Sequence, residues 1–168
     1  AGKMNSQLRC GVSGWAHPEW TGTIYSKREA KERHQLSLLA ESFDTLELEQ
    51  TFNGPVREES SRLWLSKVSK NPRFQFTAGL WKKFTHDRSL AANDIKAFKD
   101  GLWPLMNARK LGCIVMQFPW SFRYTAENRE FFIQLRRAFH EFPLVAEMRH
   151  ASWMMEEAVG TMIDYRVG

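Results

Sequence analysis

The feature that most constrains this chain is an alternation: five short apolar runs, each followed by a segment with helical periodicity. The runs are Leu8–Ser13, Thr45–Glu49, Phe74–Ala78, Cys113–Phe118 and Leu144–Met148. Each has the length of a strand and is rich in β-branched or large apolar residues. Between them, apolar residues recur at helical spacing. Leu36, Leu39, Ala40 and Phe43 form one stripe, and Val56, Leu63, Trp64 and Val68 a second. Ile95, Phe98, Leu102, Leu105 and Met106 form a third, and Phe131, Phe132, Leu135, Phe139 and Phe142 a fourth. A fifth helical segment runs over Met154–Asp164. Thr125 is a predicted N-cap, and Pro55 is predicted in the first turn of the second helix.

This alternation implies a parallel sheet with crossover helices. A five-stranded doubly wound sheet would be complete at 168 residues. A (β/α)₈ barrel normally needs about 250, so this length corresponds to about five of its eight units. The strands favour the barrel. A central strand of a doubly wound sheet is covered on both faces and almost wholly apolar. Here Glu47 and Glu49 share one face of the second run, Glu147 and Arg149 one face of the fifth, and Gln117 stands near the end of the fourth. A charge under a covering helix is costly. Pointing inward near a barrel mouth, it meets water or ligand. The expected fold is α/β, a parallel (β/α) TIM-barrel-like single domain over residues 1–168, with strands in the order 1-2-3-4-5. Its first and fifth strands would be open edges, which predicts self-association.

Composition sets outer limits. The hydrophobic (43%) and charged (26%) fractions are ordinary for a globular domain. No run approaches the ~18 apolar residues of a membrane helix. Ala1–Arg9 lacks the apolar core of a secretory signal, so the expected compartment is the cytoplasm. Cys10 and Cys113, both inside strand-like runs, are expected as buried thiols. A net charge of +5 fits either a plain basic surface or an anionic partner.

The strand ends carry a distinctive set of motifs. GVSGW (Gly11–Trp15) is followed by Trp20, Gly22 and Tyr25. FDTLELEQTF (Phe43–Phe52) covers the second strand, and FTH (Phe84–His86) follows the third. LGCIVMQFPWSF (Leu111–Phe122) covers the fourth, and AEMRHASW (Ala146–Trp153) ends the fifth. In this order they closely resemble the YecE-like family, whose function is unknown. The resemblance implies a TIM-barrel-like fold and a longer chain, of which this would be the N-terminal five-eighths, and supplies no activity. It places Ile163–Gly168 at the approach to a sixth strand. Two departures stand out: Ala78-Gly79-Leu80 where relatives often carry Lys, and Glu49 where they often carry Asn.

In a parallel barrel the loops after the strands form the active face. Trp15, Trp20, Trp81, Trp120 and Trp153 all follow strands; they either stack on a ligand or pack as lids over the rim. Glu47, Glu147 and His86 are the acid/base candidates, with paired carboxylates suited to hydrolase or isomerase chemistry. Arg149 reads as a fork for a carboxylate or phosphate, or as the neutralising partner of Glu147 in a buried layer that Gln117 completes. Ser13 reads as a polar mouth residue. Glu47, Glu49, His86, Glu147 and His150 come from several strand ends and leave a divalent metal open, although no HxH, HExxH or CxxC spacing supports one. His17, His34 and His140 read as surface residues. The Trp81–Arg88 loop mixes bases with aromatics and suits a phosphate-bearing ligand or single-stranded nucleic acid; a solvated loop with Phe84 tucked inward accounts for it equally well. Lys27, Arg28, Lys31 and Arg33 are read as a solvated helix face. Two functions follow as expectations: an enzyme acting on a sugar-like or phosphodiester substrate, or a non-catalytic nucleic-acid or phosphate-ligand binding protein using Trp81, Lys82, Lys83 and Trp120.

Overall fold

A computed structural model describes residues 8–168. Its five strands are β1 (Gly11–Ser13), β2 (Thr45–Leu48), β3 (Gln75–Gly79), β4 (Leu111–Gln117) and β5 (Leu144–Glu147). Its helices are α1 (Lys27–Glu32), α2 (Gln35–Ser42), α3 (Glu58–Lys67), α4 (Lys82–Thr85), α5 (Ala92–Asn107), α6 (Ala126–Ala138) and α7 (Glu156–Asp164). The strands form one sheet in the order β1-β2-β3-β4-β5, every neighbouring pair parallel. A doubly wound sheet reverses its order at a switch point, and this one does not. The architecture is α/β and TIM-barrel-like.

Side-chain alternation explains the layering. Leu46, Leu48, Phe76, Ala78, Ile114, Met116 and Leu144 are buried with the helices' apolar faces. The intervening Glu47, Thr77, Cys113, Val115, Gln117 and Glu147 are only half-buried, because they face away from that layer. The core is largely aromatic. Phe84 meets Phe98 and Phe139 with ring centroids 5.8 and 5.3 Å apart, and Trp153 stacks on Phe122 at 5.3 Å. Such pairs add about 0.5–1.5 kcal/mol each beyond the area they bury.

Local chemistry fixes the helix ends. Ser26 and Glu29 make a reciprocal capping box at α1. The Thr125 hydroxyl accepts from Asn128 N at 3.1 Å, as its sequence position predicts. Pro55 departs from expectation: α3 begins at Glu58, so the proline belongs to the approach and not the first turn. The helix expected before β2 is two, because the chain breaks at Arg33 and restarts on His34, whose ring accepts from Leu36 N. His34 is therefore a half-buried cap and not a plain surface residue. Cys10 is exposed, since β1 starts only at Gly11; Cys113 is half-buried. Lys27, Arg28 and Lys31 lie exposed on α1, as expected of a solvated face.

Beyond β5 the chain returns to the sheet. Gly168 N donates to Leu144 O at 3.2 Å, and Ala146 N donates to Gly168 O at 2.9 Å. Val167–Gly168 thus occupy the position of the next parallel strand. Among the described residues, no helix is long and apolar enough to cross a membrane.

Candidate functional site

Two polar clusters stand on the helix-free face at the C-terminal ends of the strands. The first joins β1 to β2. Ser13 and Glu47 are register partners. The Ser13 hydroxyl lies 2.8 Å from Glu47 Oε2 and 2.9 Å from Glu49 Oε1. A hydroxyl has one hydrogen, so it donates to one carboxylate at a time. Glu49 is not in the strand, as the sequence had implied; it opens a 3₁₀ turn, Glu49–Phe52, that brings its carboxylate back toward Ser13. Gly14 makes room for it. Its φ is +65°, and a Cβ there would sit 2.8 Å from Glu49 Oε2. His17 Nε2 donates to Ser13 O at 2.8 Å and fixes the loop above.

The second cluster joins β4 to β5. Gln117 and Glu147 are register partners, and Arg149 Nε donates to Glu147 Oε1 at 2.8 Å. The pair is not the buried layer that one reading foresaw: the two side chains are 42% and 43% exposed. An ion pair so hydrated contributes about 0–1 kcal/mol. Gln117 makes no side-chain hydrogen bond among the described residues, so it does not complete such a layer.

His86 stands between the clusters. Its ring meets Phe52, from the turn that carries Glu49, edge-on at 5.7 Å. On its other side it lies within the field of Arg149. Burial holds its imidazole below the ordinary value; Asp87 opposes this, and Arg149 and Lys82 add to it. The ring is thus neutral near pH 7. Thr85 Oγ1 lies 2.8 Å from Nδ1. The Cys113 thiol is pushed up, first by burial and then by the charge of Glu47, which places both on one face.

The five loop tryptophans do not act together. Trp15 turns into the helix layer, its ring 5.4 Å from Trp64. Trp153 is fully buried, with Nε1 donating to Phe122 O at 2.7 Å. Trp20 lies against His17 at 4.1 Å. Trp81 is half-buried against Phe84. Trp120 is 70% exposed and is the one free to cover a ligand. In the Trp81–Arg88 loop, Phe84 is buried and Lys83 pairs with Asp94 at 2.7 Å, leaving Lys82 exposed. The five-residue metal set is not assembled: among the described residues, no three His, Cys, Asp or Glu side chains are grouped to hold an ion. His150 is turned aside to cap the 3₁₀ turn Ala151–Met154, accepting from Ser152 N at 3.1 Å.

Arg88, read from sequence only as the end of the mixed Trp81–Arg88 loop, and Ser121 and Asn128, which the sequence did not single out, line with His86 a pocket of about 380 Å³ beside the second cluster. Nothing in the pattern singles out Arg88, because its position after α4 is one that glycine usually fills. A larger cavity, about 580 Å³, lies between α2 and the turn after α3. It opens toward the N-terminal ends of the strands, the end of such sheets that serves stability.

A family model covers nearly the whole chain, and the solved structures share its fold. The family described as "Protein of unknown function DUF72" matches residues 9–167, and the YecE-like resemblance is a variant name for it. The UPF0759 protein YunF of Bacillus subtilis (strain 168) is 26% identical over 149 residues, covering 85% of this chain and 51% of the relative. A crystal structure of a DUF72 family protein from Enterococcus faecalis V583 superposes with a TM-score of 0.74 at 23% identity, covering 94% of this chain and 56% of that one. A second, from Thermotoga maritima MSB8, gives 0.73 at 24%, covering 94% and 61%. This chain therefore spans little more than half the length of the relatives it matches.

Proposed function

From the premise that the chain belongs to the DUF72 family, whose function is unknown, we propose that its mouth is the active site of an enzyme acting on a small sugar-like substrate by general acid–base chemistry. The observation that carries this reading is the Ser13 hydroxyl held between the carboxylates of Glu47 and Glu49 at the C-terminal strand ends. Carboxylates fixed in this way accept hydrogen bonds from vicinal hydroxyls, and one of them takes a proton from the carbon or oxygen they flank. Glu47, on the strand itself, is the better-positioned base. His86, neutral near pH 7, is the second proton carrier. Gln117 and Glu147 orient hydroxyls on the far side, and the exposed fork of Arg149 holds an anionic group.

The chemistry we favour is proton shuttling on one substrate, an isomerase type of reaction, because the shared hydroxyl brings Glu47 together with Glu49 on one side of the mouth. The alternative, a nucleic-acid binding protein, draws support from the exposure of Trp120. The test is a thermal-shift panel of free pentoses and hexoses, sugar phosphates and short oligonucleotides against the protein and Glu47→Gln. Stabilisation by a sugar that the variant abolishes supports the enzyme reading. Stabilisation by oligonucleotides alone contradicts it.

A further inference from the structure

Resting on that reading, we infer that the pocket between the loops after β3 and β4 is an anion subsite of the mouth, which takes the phosphate monoester of a small polyhydroxylated ligand. Its main donor is Arg88. The Arg88 backbone has φ +55°. It closes the turn after α4, where Ser89 N donates to Lys83 O at 3.1 Å. Its side chain is held as well. The guanidinium lies 4.8 Å from the Phe131 ring centroid and 5.5 Å from that of Phe122. It donates to Asn128 Oδ1. Asn128 is itself fixed, with Nδ2 donating to Arg123 O at 2.7 Å and its backbone N–H bound by Thr125. The fork is therefore set before any ligand arrives, and little rotamer freedom is left to lose.

The fork is also under-used. A guanidinium has five N–H donors. Asn128 takes one, and the nearest carboxylate, Glu127, lies 3.5 Å away and is 85% exposed. So hydrated a partner yields to a phosphate seated in the pocket. His86 supplies a second donor. When the buried Thr85 hydroxyl donates to Nδ1, the neutral ring carries its hydrogen on Nε2. The Ser121 hydroxyl lines the same pocket.

Charge and distance set the orientation. The β1–β2 side carries Glu47 and Glu49 with no cation paired to them among the described residues, whereas on the side of β3 to β5 Arg88, Arg149 and Lys82 stand among Glu147, Glu127 and Asp87. A phosphate is repelled by the first side, and on the second its seat is the under-used Arg88 fork. The centre of the Ser13–Glu47 pair is two strand spacings from the pocket, ~10 Å, about the length of a pentose or hexose phosphate. A nucleic-acid backbone needs a cationic track, and here Lys83 is tied to Asp94.

The test is calorimetric titration of the protein, Arg88→Ala, Arg88→Lys and Glu47→Gln with ribose, glucose, their monophosphates, inorganic phosphate and a short single-stranded oligonucleotide. A sugar monophosphate is expected to bind about tenfold or more tightly than its free sugar. Arg88→Ala should erase that gap, and Arg88→Lys should restore only part of it. Arg88→Lys keeps charge and stem, so it reports even if the alanine variant does not fold. Equal affinity for sugar and sugar monophosphate, with both weakened by Glu47→Gln, overturns the anion subsite and leaves the mouth reading standing. A phosphate gap that depends on Arg88, with the affinity for free sugar and sugar monophosphate alike unchanged by Glu47→Gln, keeps the subsite and removes the mouth reading. An oligonucleotide that binds more tightly than every monophosphate, or no binding by any probe, overturns the subsite.

Discussion

Replacing Gly101 by alanine should destabilise the protein, although the same change in α7 should stabilise it. Gly101 lies inside α5, where α3 and α5 pack. A Cβ there would sit 2.0 Å from the Val56 carbonyl oxygen, a backbone atom with nowhere to go. The segment leading into α3 and α5 would have to part by on the order of 1 Å to reach ordinary contact. Overpacking of this kind costs about 1–3 kcal/mol. The separation would also stretch the buried bond from Ser61 Oγ to Gly101 O, now 2.6 Å, for about 1 kcal/mol more. Helix propensity returns about 1 kcal/mol. The net expectation is a loss of about 2 kcal/mol, or roughly 4–8 °C in Tm for a domain of this size. Gly160, inside α7, has no heavy atom beyond its own helix backbone within 4 Å of the place a Cβ would take, so Gly160→Ala should gain about 0.5–1 kcal/mol. Urea titrations followed by helical circular dichroism measure both. Two changes of the same sign, or a Gly101→Ala protein as stable as the parent, would refute the α3–α5 packing described here.

Three further outcomes are expected. Trp153→Phe removes the Nε1 donor from the buried Phe122 carbonyl and should cost about 2–3 kcal/mol, read as a lowered urea midpoint; an unchanged midpoint would show that the two loops are not pinned there. Burial lowers both His34, helped by Lys67, and His86 below the ordinary 6.5. The unfolded chain then binds more protons as pH falls below neutrality, so Tm should drop between pH 7.5 and pH 5, and a Tm that rises on acidification contradicts this. Arg149→Met breaks a hydrated pair and should change stability by less than about 1 kcal/mol; a much larger loss in thermal melts would mean that the pair is structural.

The order of the sheet was legible because each strand differs in period from the helix that follows it, and because charges in β2 and β5 tolerate no covering helix. Glu49 shows where that legibility stops. Period-two alternation puts it on the face of Glu47, and it does reach the same serine, but by a 3₁₀ turn that alternation does not encode. The tryptophans show a second limit. Trp15 and Trp120 both follow strands, yet one packs against Trp64 and the other stands in solvent; only tertiary packing distinguishes them. His150, a candidate ligand by type and place, is claimed by Ser152 two residues on. Arg88 was legible only as one base among several in its loop: what sets it apart depends on Phe122, Phe131 and Asn128, all distant in sequence, holding its guanidinium.

The most direct test of the account is the structure of the protein crystallised with a monosaccharide or sugar monophosphate that stabilises it. The expected complex has a ligand hydroxyl within hydrogen-bonding distance of Glu47 or Glu49, at the C-terminal ends of β1 and β2. A ligand seated instead in the cavity between α2 and the turn after α3, with the Ser13–Glu47–Glu49 cluster untouched, would contradict it.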